Sequence, residues 1–319
     1  MNNLWFVTFG DSRLEEARER IRRQAEKMGV FGDRIRIFDE RGLDADFCER
    51  MKDHLIPGSR GFGYWSWKPQ VILQVMKEMP EGDVLLYADI GSHLNSKGLR
   101  RLNEYRQYAL DKGIVAFQSR ALGVQAITDF GLHFLPERQW TKMDLLQHFG
   151  VADNRDILDS GQVGASVILV SNNSNVRNLI GQWRECFYSH FEFTDDSPSA
   201  IPEMPDFIEN RYDQSVFSLI CKKSDVCLLS SGEYVHIRCY MPENGDKSLW
   251  PEYWRELKYY PIHLRRDLGR FTKIVECPDW LKPLLGKKGR KLASRIYERM
   301  KPIANFVMGR KRIEGGRGK

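Results

Sequence analysis

The stretch Asp83-Val84-Leu85-Leu86-Tyr87-Ala88-Asp89-Ile90-Gly91-Ser92 reads as an apolar strand that delivers one carboxylate, Asp89, to its carboxyl end. The turn Pro80-Glu81-Gly82 opens it and Gly91 closes it, and a short apolar run between such breaks is a buried strand. Outward from it, residues 4–9, 34–38, 114–118, 164–170 and 225–229 also read as strands. Helices are expected over 68–79, 97–112, 176–187 and 211–222. Another should open at the capping-box pattern Ser12-Arg13-Leu14-Glu15 and stop near Gly29. Thr141 and Asp144 suggest the cap of a further short helix. Strands alternating with helices at this spacing predict an α/β fold, a mainly parallel sheet covered on both faces. Its ligand belongs at the carboxyl ends of the strands. Residues 192–210, rich in Pro, Ser and acidic groups, read as a long loop or lid.

With 42% hydrophobic and 29% charged residues among 319, the composition is that of a globular chain, which excludes wholesale disorder. The six cysteines form no CxxC pair and no zinc-finger spacing, as expected of reduced thiols in a cytoplasmic protein. The amino terminus lacks the pattern of a signal peptide, and no run approaches the roughly 20 apolar residues of a membrane span. Charge is unevenly placed. Residues 281–319 hold thirteen Lys or Arg and two Glu, a local +11, which leaves −5 for the rest of a chain at +6. Two parts follow, a globular domain over 1–270 and a basic extension over 271–319. Apolar residues such as Leu284, Leu292, Ile296 and Phe306 recur in the extension at amphipathic-helix spacing. Such a helix suits an anionic membrane surface, and no nucleic-acid-binding signature accompanies it.

A hard divalent cation such as Mg²⁺ or Mn²⁺ takes a carboxylate oxygen and leaves positions for phosphate, a role that fits Asp89. Gly91 lets a pyrophosphate approach the backbone. Lys68 stands at a helix start, where a cation suits an anion. Tyr64, Trp65 and Trp67 are candidates to stack on a base or sugar, and at least one of the two Trp is expected in the core.

The runs Gly61-Phe62-Gly63-Tyr64-Trp65-Ser66-Trp67-Lys68-Pro69, Tyr87-Ala88-Asp89-Ile90-Gly91 and Tyr212-Asp213-Gln214-Ser215-Val216-Phe217 resemble a bacterial family of GT-A-like glycosyltransferases associated with surface polysaccharides. The likeness runs from about Trp5 to His263. It departs from the family's metal motif, with Gly91 where a second Asp would stand. The resemblance implies a GT-A-like fold in which Thr8, Phe9 and Gly10 hold the nucleotide, with Asp39 at its base or ribose. It further implies that Gly164 and Ala165 lie against the donor sugar and that Asp213 and Gln214 face sugar or acceptor. Asp213 is the first candidate for a catalytic carboxylate and Asp144, beside Lys142, the second. His263 would share the metal with Asp89, and His236 competes for that place. The implied activity is metal-assisted transfer from a nucleotide-diphosphate sugar, a UDP-sugar in preference, to a glycan or lipid-linked acceptor. The setting would be the cytoplasmic face of a membrane. A nucleotidyltransferase and a non-catalytic membrane adaptor are the rival readings. The first would usually carry a Gly-rich, Lys-bearing loop after the first strand, and Phe9-Gly10-Asp11-Ser12-Arg13 is not one.

Overall fold

The computed structural model describes residues 3–119, 135–235 and 259–264. Every described residue belongs to a unit spanning Met1–Leu268. The basic extension, the calls on it and His236 lie outside the described residues.

Six strands form the central sheet: β1 (Leu4–Phe9), β2 (Ile35–Phe38), β3 (Val84–Ala88), β5 (Ile114–Gln118), β6 (Val163–Ser171) and β7 (Cys227–Ser230). Their order is β2-β1-β3-β6-β5-β7. β1 pairs in parallel with both β2 and β3, and β5 with β7, while β6 runs antiparallel to β3 and β5. All strands but β6 therefore point the same way, which is the mainly parallel α/β sheet expected. A second, two-stranded sheet pairs β4 (Ser92–Leu94) with β8 (Ile262–Leu264).

Alternation along the strands sorts the core into two layers. Trp5, Val7, Phe9, Leu85, Tyr87 and Ala165 face one side, under helices α4 (Trp67–Glu78), α9 (Ser174–Ser189) and α10 (Asp213–Lys222). Leu4, Phe6, Leu86, Ala88 and Phe117 face the other, under α1 (Glu15–Met28) and α5 (Leu99–Lys112). Short helices at Ala45–Arg50 (α2), Gly61–Tyr64 (α3), Glu137–Trp140 (α6), Met143–His148 (α7) and Arg155–Leu158 (α8) fill the connections.

Two helix starts differ from the sequence reading. Asp11, not Ser12, caps the 3-10 turn that leads into α1, its carboxylate accepting the N–H of Arg13; the N–H of Ser12 goes instead to Glu40. At α7 neither Thr141 nor Asp144 caps. The Thr141 hydroxyl donates to Glu137, and the N–H of Met143 donates to Glu203, which arrives from the 192–210 segment. Carboxylates elsewhere in the chain, Glu40 at Ser12 and Glu203 at Met143, took the N–H groups, which a local pattern does not reveal. Among the described residues no helix is long and apolar enough to cross a membrane.

Candidate active site

The direction of the chain reverses between β1 and β3: the connection from β1 leads outward to β2, and the chain then returns to β3 on the other side of β1. In open α/β sheets a ligand crevice forms at such a point, outside the carboxyl ends of the strands. Here those ends carry Phe9-Gly10 and Asp89. They lie close together, because a Cβ on Gly10 would stand 3.0 Å from the Ile90 side chain.

Asp89 is seated by the sheet itself. Its N–H donates to Ser166 O at 2.8 Å, extending the β3–β6 ladder by one step. Arg20, buried on α1, donates to the carbonyls of Ile90 and Ser92 and fixes the following turn, in which Gly91 is buried. Two residues earlier on the same face, the Tyr87 hydroxyl donates to Asp89 Oδ1 at 2.7 Å.

Against this edge lies Lys68, in the first turn of α4. Its Nζ stands 2.6 Å from Asp213 Oδ2 and 3.3 Å from Asp89 Oδ1, and donates to Ala165 O at 3.0 Å. The ammonium is 3% exposed, Asp213 7% and Asp89 27%, so the cluster reaches the surface through Asp89. Trp183 on α9 donates to the backbone carbonyl of Asp213 and holds the start of α10. Burial raises the Asp213 carboxyl to about 6 against the opposing pull of Lys68, and Asp89 pushes it the same way as burial. For Lys68, burial works to lower the ammonium, but the two carboxylates outweigh it and leave it above the usual lysine value. A carboxylate near neutrality beside a fixed cation can accept a proton from a hydroxyl or hold one by hydrogen bonding.

The sequence candidates divide into three groups. Lys68, Asp89, Asp213 and Ala165 come together, Ala165 through its carbonyl. Lys68, however, meets carboxylates where a phosphate was expected, because the fold brings Asp89 and Asp213 to its ammonium. Gln214 stands next to them, donating to Gln162 at 2.6 Å.

The second group lies at the β1–β2 edge. Asp39 accepts from Arg41 and lies 3.3 Å from Arg18, and the Arg41 hydrogen bond keeps its carboxyl below the usual range. Arg18 also donates to Gly10 O at 2.8 Å. Thr8 is fully buried, its hydroxyl without a partner among the described residues, and Phe9 stacks on Trp67 at 4.0 Å. Trp67 is thus a core residue, 5% exposed, its indole N–H on Gly61 O, and does not present a face to a ligand.

The third group is placed elsewhere. A Cβ on Gly164 would stand 2.4 Å from the Tyr234 hydroxyl, and Tyr234 belongs to the opposite core layer, so this glycine makes room for packing. Asp144 accepts the N–H of Ala200 at 2.9 Å and tethers the 192–210 segment. His263 faces His93 in the β4–β8 pair. Neither it nor Asp89 joins a group of three or more His, Cys, Asp or Glu side chains, since no such group exists among the described residues. Asp89 Oδ1 already carries a hydroxyl and an ammonium. The described residues thus do not complete a divalent-cation shell, and no step is derived through one.

Sequence reasoning missed the partners of this edge. Tyr87 was legible by its two-residue spacing from Asp89. Asp196 was not: it accepts the hydroxyls of Tyr64 and Tyr212, both at 2.8 Å, and pairs with Arg60 at 3.5 Å. Among the described residues four non-glycine positions have positive φ, namely Phe62, Tyr64, Trp65 and Tyr212, and the last three are in ring contact. Each such conformation costs on the order of 1 kcal/mol or more, and clusters of them mark functional edges. Tyr212 immediately precedes Asp213. It also lines a cavity of about 600 Å³ with Arg60, Lys142, Glu203 and Asn210.

No family model matches the chain, and no curated protein does. Among solved structures the chain is similar to a glycosyltransferase involved in glycosylation of the major capsid of PBCV-1 (TM-score 0.47, 10% identity, covering 86% of this chain and 100% of that one). It is also similar to the galactosyltransferase LgtC in complex with donor and acceptor sugar analogs (TM-score 0.46, 16% identity, 87% and 99%). A third likeness is to mouse xyloside xylosyltransferase 1 (TM-score 0.39, 11% identity, 82% and 96%). At these scores and identities the likeness is one of outline, and membership of a family does not follow from it.

Proposed function

We propose that the chain is a glycosyltransferase that moves a sugar from a nucleotide-diphosphate sugar, a UDP-sugar in preference, to a glycan or lipid-linked acceptor in surface polysaccharide synthesis. The observation that carries this reading is the Lys68–Asp89–Asp213 cluster at the carboxyl edge of the sheet, beside the β1–β3 reversal. A glycosyl transfer needs groups that hold sugar hydroxyls, a place for the departing nucleoside diphosphate and a route for the acceptor's proton. Asp89 and Asp213 offer oxygens to hydroxyls. The carboxyl end of β1, at Phe9-Gly10, is where the departing nucleotide is assigned, by the rule that ligands of such sheets lie at a chain reversal. Asp213, raised to about 6, is the group suited to take the acceptor's proton or to orient the hydroxyl that bears it.

The test is release of nucleoside diphosphate from a panel of nucleotide sugars by the full chain, with and without Mn²⁺. Release that is lost in Lys68→Met and in Asp89→Asn supports the reading. Release of pyrophosphate from a nucleoside triphosphate and a sugar phosphate would replace it with a nucleotidyltransferase. No turnover and no binding of either would favour the non-catalytic adaptor. Membrane association at the cytoplasmic face rests on the +11 of residues 281–319. Removal of those residues should abolish co-sedimentation with anionic vesicles. Equal binding by the full and shortened chains would overturn that part.

A further inference from the structure

We infer that the sugar seated at this cluster is uncharged, a neutral hexose or N-acetylhexosamine, and that a uronic acid is rejected there. The inference rests on the glycosyltransferase reading and adds the class of sugar. Its basis is a balance of charge and the burial of the one cation in the cluster. The ammonium of Lys68 is 3% exposed, donates to Ala165 O at 3.0 Å and lies 2.6 Å from Asp213 Oδ2 and 3.3 Å from Asp89 Oδ1. So enclosed, it presents no face to a ligand carboxylate. Two carboxylates around one ammonium leave the cluster with one excess negative charge. The most exposed of the three is Asp89, so what a ligand meets is a carboxylate. Sugar hydroxyls donate to such oxygens, whereas an anionic ring substituent is repelled and loses its water in exchange for no donor.

Among the described residues the neighbouring cations Arg18, Arg60 and Lys142 do not relieve this. Arg18 is engaged by Gly10 O and Asp39. Arg60 lies over the Tyr212 ring and pairs with Asp196. Lys142, 4% exposed, is held by Asp195, Ser197 and the carbonyl of Glu192. Each contact opposes release of that cation to a ligand.

Calorimetric titration of the full chain with UDP-glucose, UDP-N-acetylglucosamine and UDP-glucuronate isolates the sugar, since the nucleoside diphosphate is common to all three. GDP-mannose and GDP-mannuronate form a second pair. In the pair that binds, the uronate should bind at least about tenfold more weakly than its neutral partner. Asp89→Asn, which keeps the shape and removes the excess charge, should narrow that ratio toward one. Equal or tighter binding of the uronate by the natural chain overturns this proposal and leaves the glycosyltransferase reading standing. Absence of saturable binding by any of the five overturns both.

Discussion

Among the described residues three buried lysines face carboxylates, Lys68, Lys142 and Lys222, and the sites of Lys222 and Lys68 differ in a way that separates a closed ion pair from an open cluster. Lys222 on α10 stands 2.6 Å from Glu137 on α6, at 4% and 0% exposure. The pair is one to one and closed on every side. Glu137 also accepts from Ser218, Thr141 and Gln162, and Lys222 donates to the carbonyls of Ile157 and Ser160. Lys68 is buried to the same degree but faces two carboxylates, one of which opens to the surface. The titration directions differ accordingly. Burial outweighs the single carboxylate of Glu137 and lowers Lys222, whereas two carboxylates outweigh burial and raise Lys68. The surplus appears on Asp213, which burial and Asp89 together raise to about 6. A balanced pair holds elements together; an unbalanced one keeps a titratable group near neutrality at an open edge.

The sharpest way to break this contrast is to remove one lysine at a time. Lys222→Met leaves Glu137 buried without a counter-charge and should cost about 4 kcal/mol in denaturant unfolding. Turnover per folded molecule should be unchanged. Adding Glu137→Gln should recover most of the loss, because neutralising both partners removes the uncompensated charge. A double variant no more stable than the single one would show that the pair's role is not electrostatic.

Next in size, Lys68→Met should lower transfer by on the order of 10²-fold, about 3 kcal/mol, and also destabilise the fold, since Asp89 and Asp213 then repel across the gap. Full turnover by the folded variant would remove the cluster from the site.

Asp213→Asn should reduce kcat by on the order of 10²-fold, within the range for a lost general base, with donor binding nearly unchanged. The pH profile sharpens this. Asp213 accepts a proton only when ionised, so wild-type kcat/KM should fall as pH drops through about 6, approaching tenfold per unit below it. The residual activity of Asp213→Asn should lack that limb. The same limb in both proteins would assign it to another group.

The smallest change is Tyr87→Phe. It removes one hydrogen bond to Asp89 and leaves Lys68 in place, so about 1 kcal/mol, or roughly fivefold in donor turnover, is expected. A loss as large as that of Lys68→Met would mean that Tyr87 itself contacts the substrate.

Much of the fold was legible in the sequence. Apolar runs closed by Gly, Pro or charged residues placed β1 and β5 at their observed ends and most other strands within a residue or two. Burial on both faces leaves such runs little freedom to slip. Asp89 was legible for the same reason, as the first carboxylate after a buried strand. Less legible were residues whose alternatives differ only in three dimensions. Trp67 and Gly164 suit a ligand or a core equally well until Phe9 is seen stacked on one and Tyr234 against the other. Asp144 reads in the sequence as a second candidate carboxylate, and the structure adds that it accepts the N–H of Ala200 from 56 residues away.

What the sequence determined by itself is the order and type of its elements and the delivery of a lone carboxylate to the end of β3. Those follow from local hydrophobic pattern and turn chemistry. Only the tertiary structure decided that Lys68 spends its charge on Asp89 and Asp213, and that Tyr212 adopts a left-handed backbone just before Asp213. Lys68 and Asp213 are 145 positions apart. No local rule couples them, and the strength and sign of an ionic interaction depend on distance and on exclusion of water, which exist only once the chain has packed.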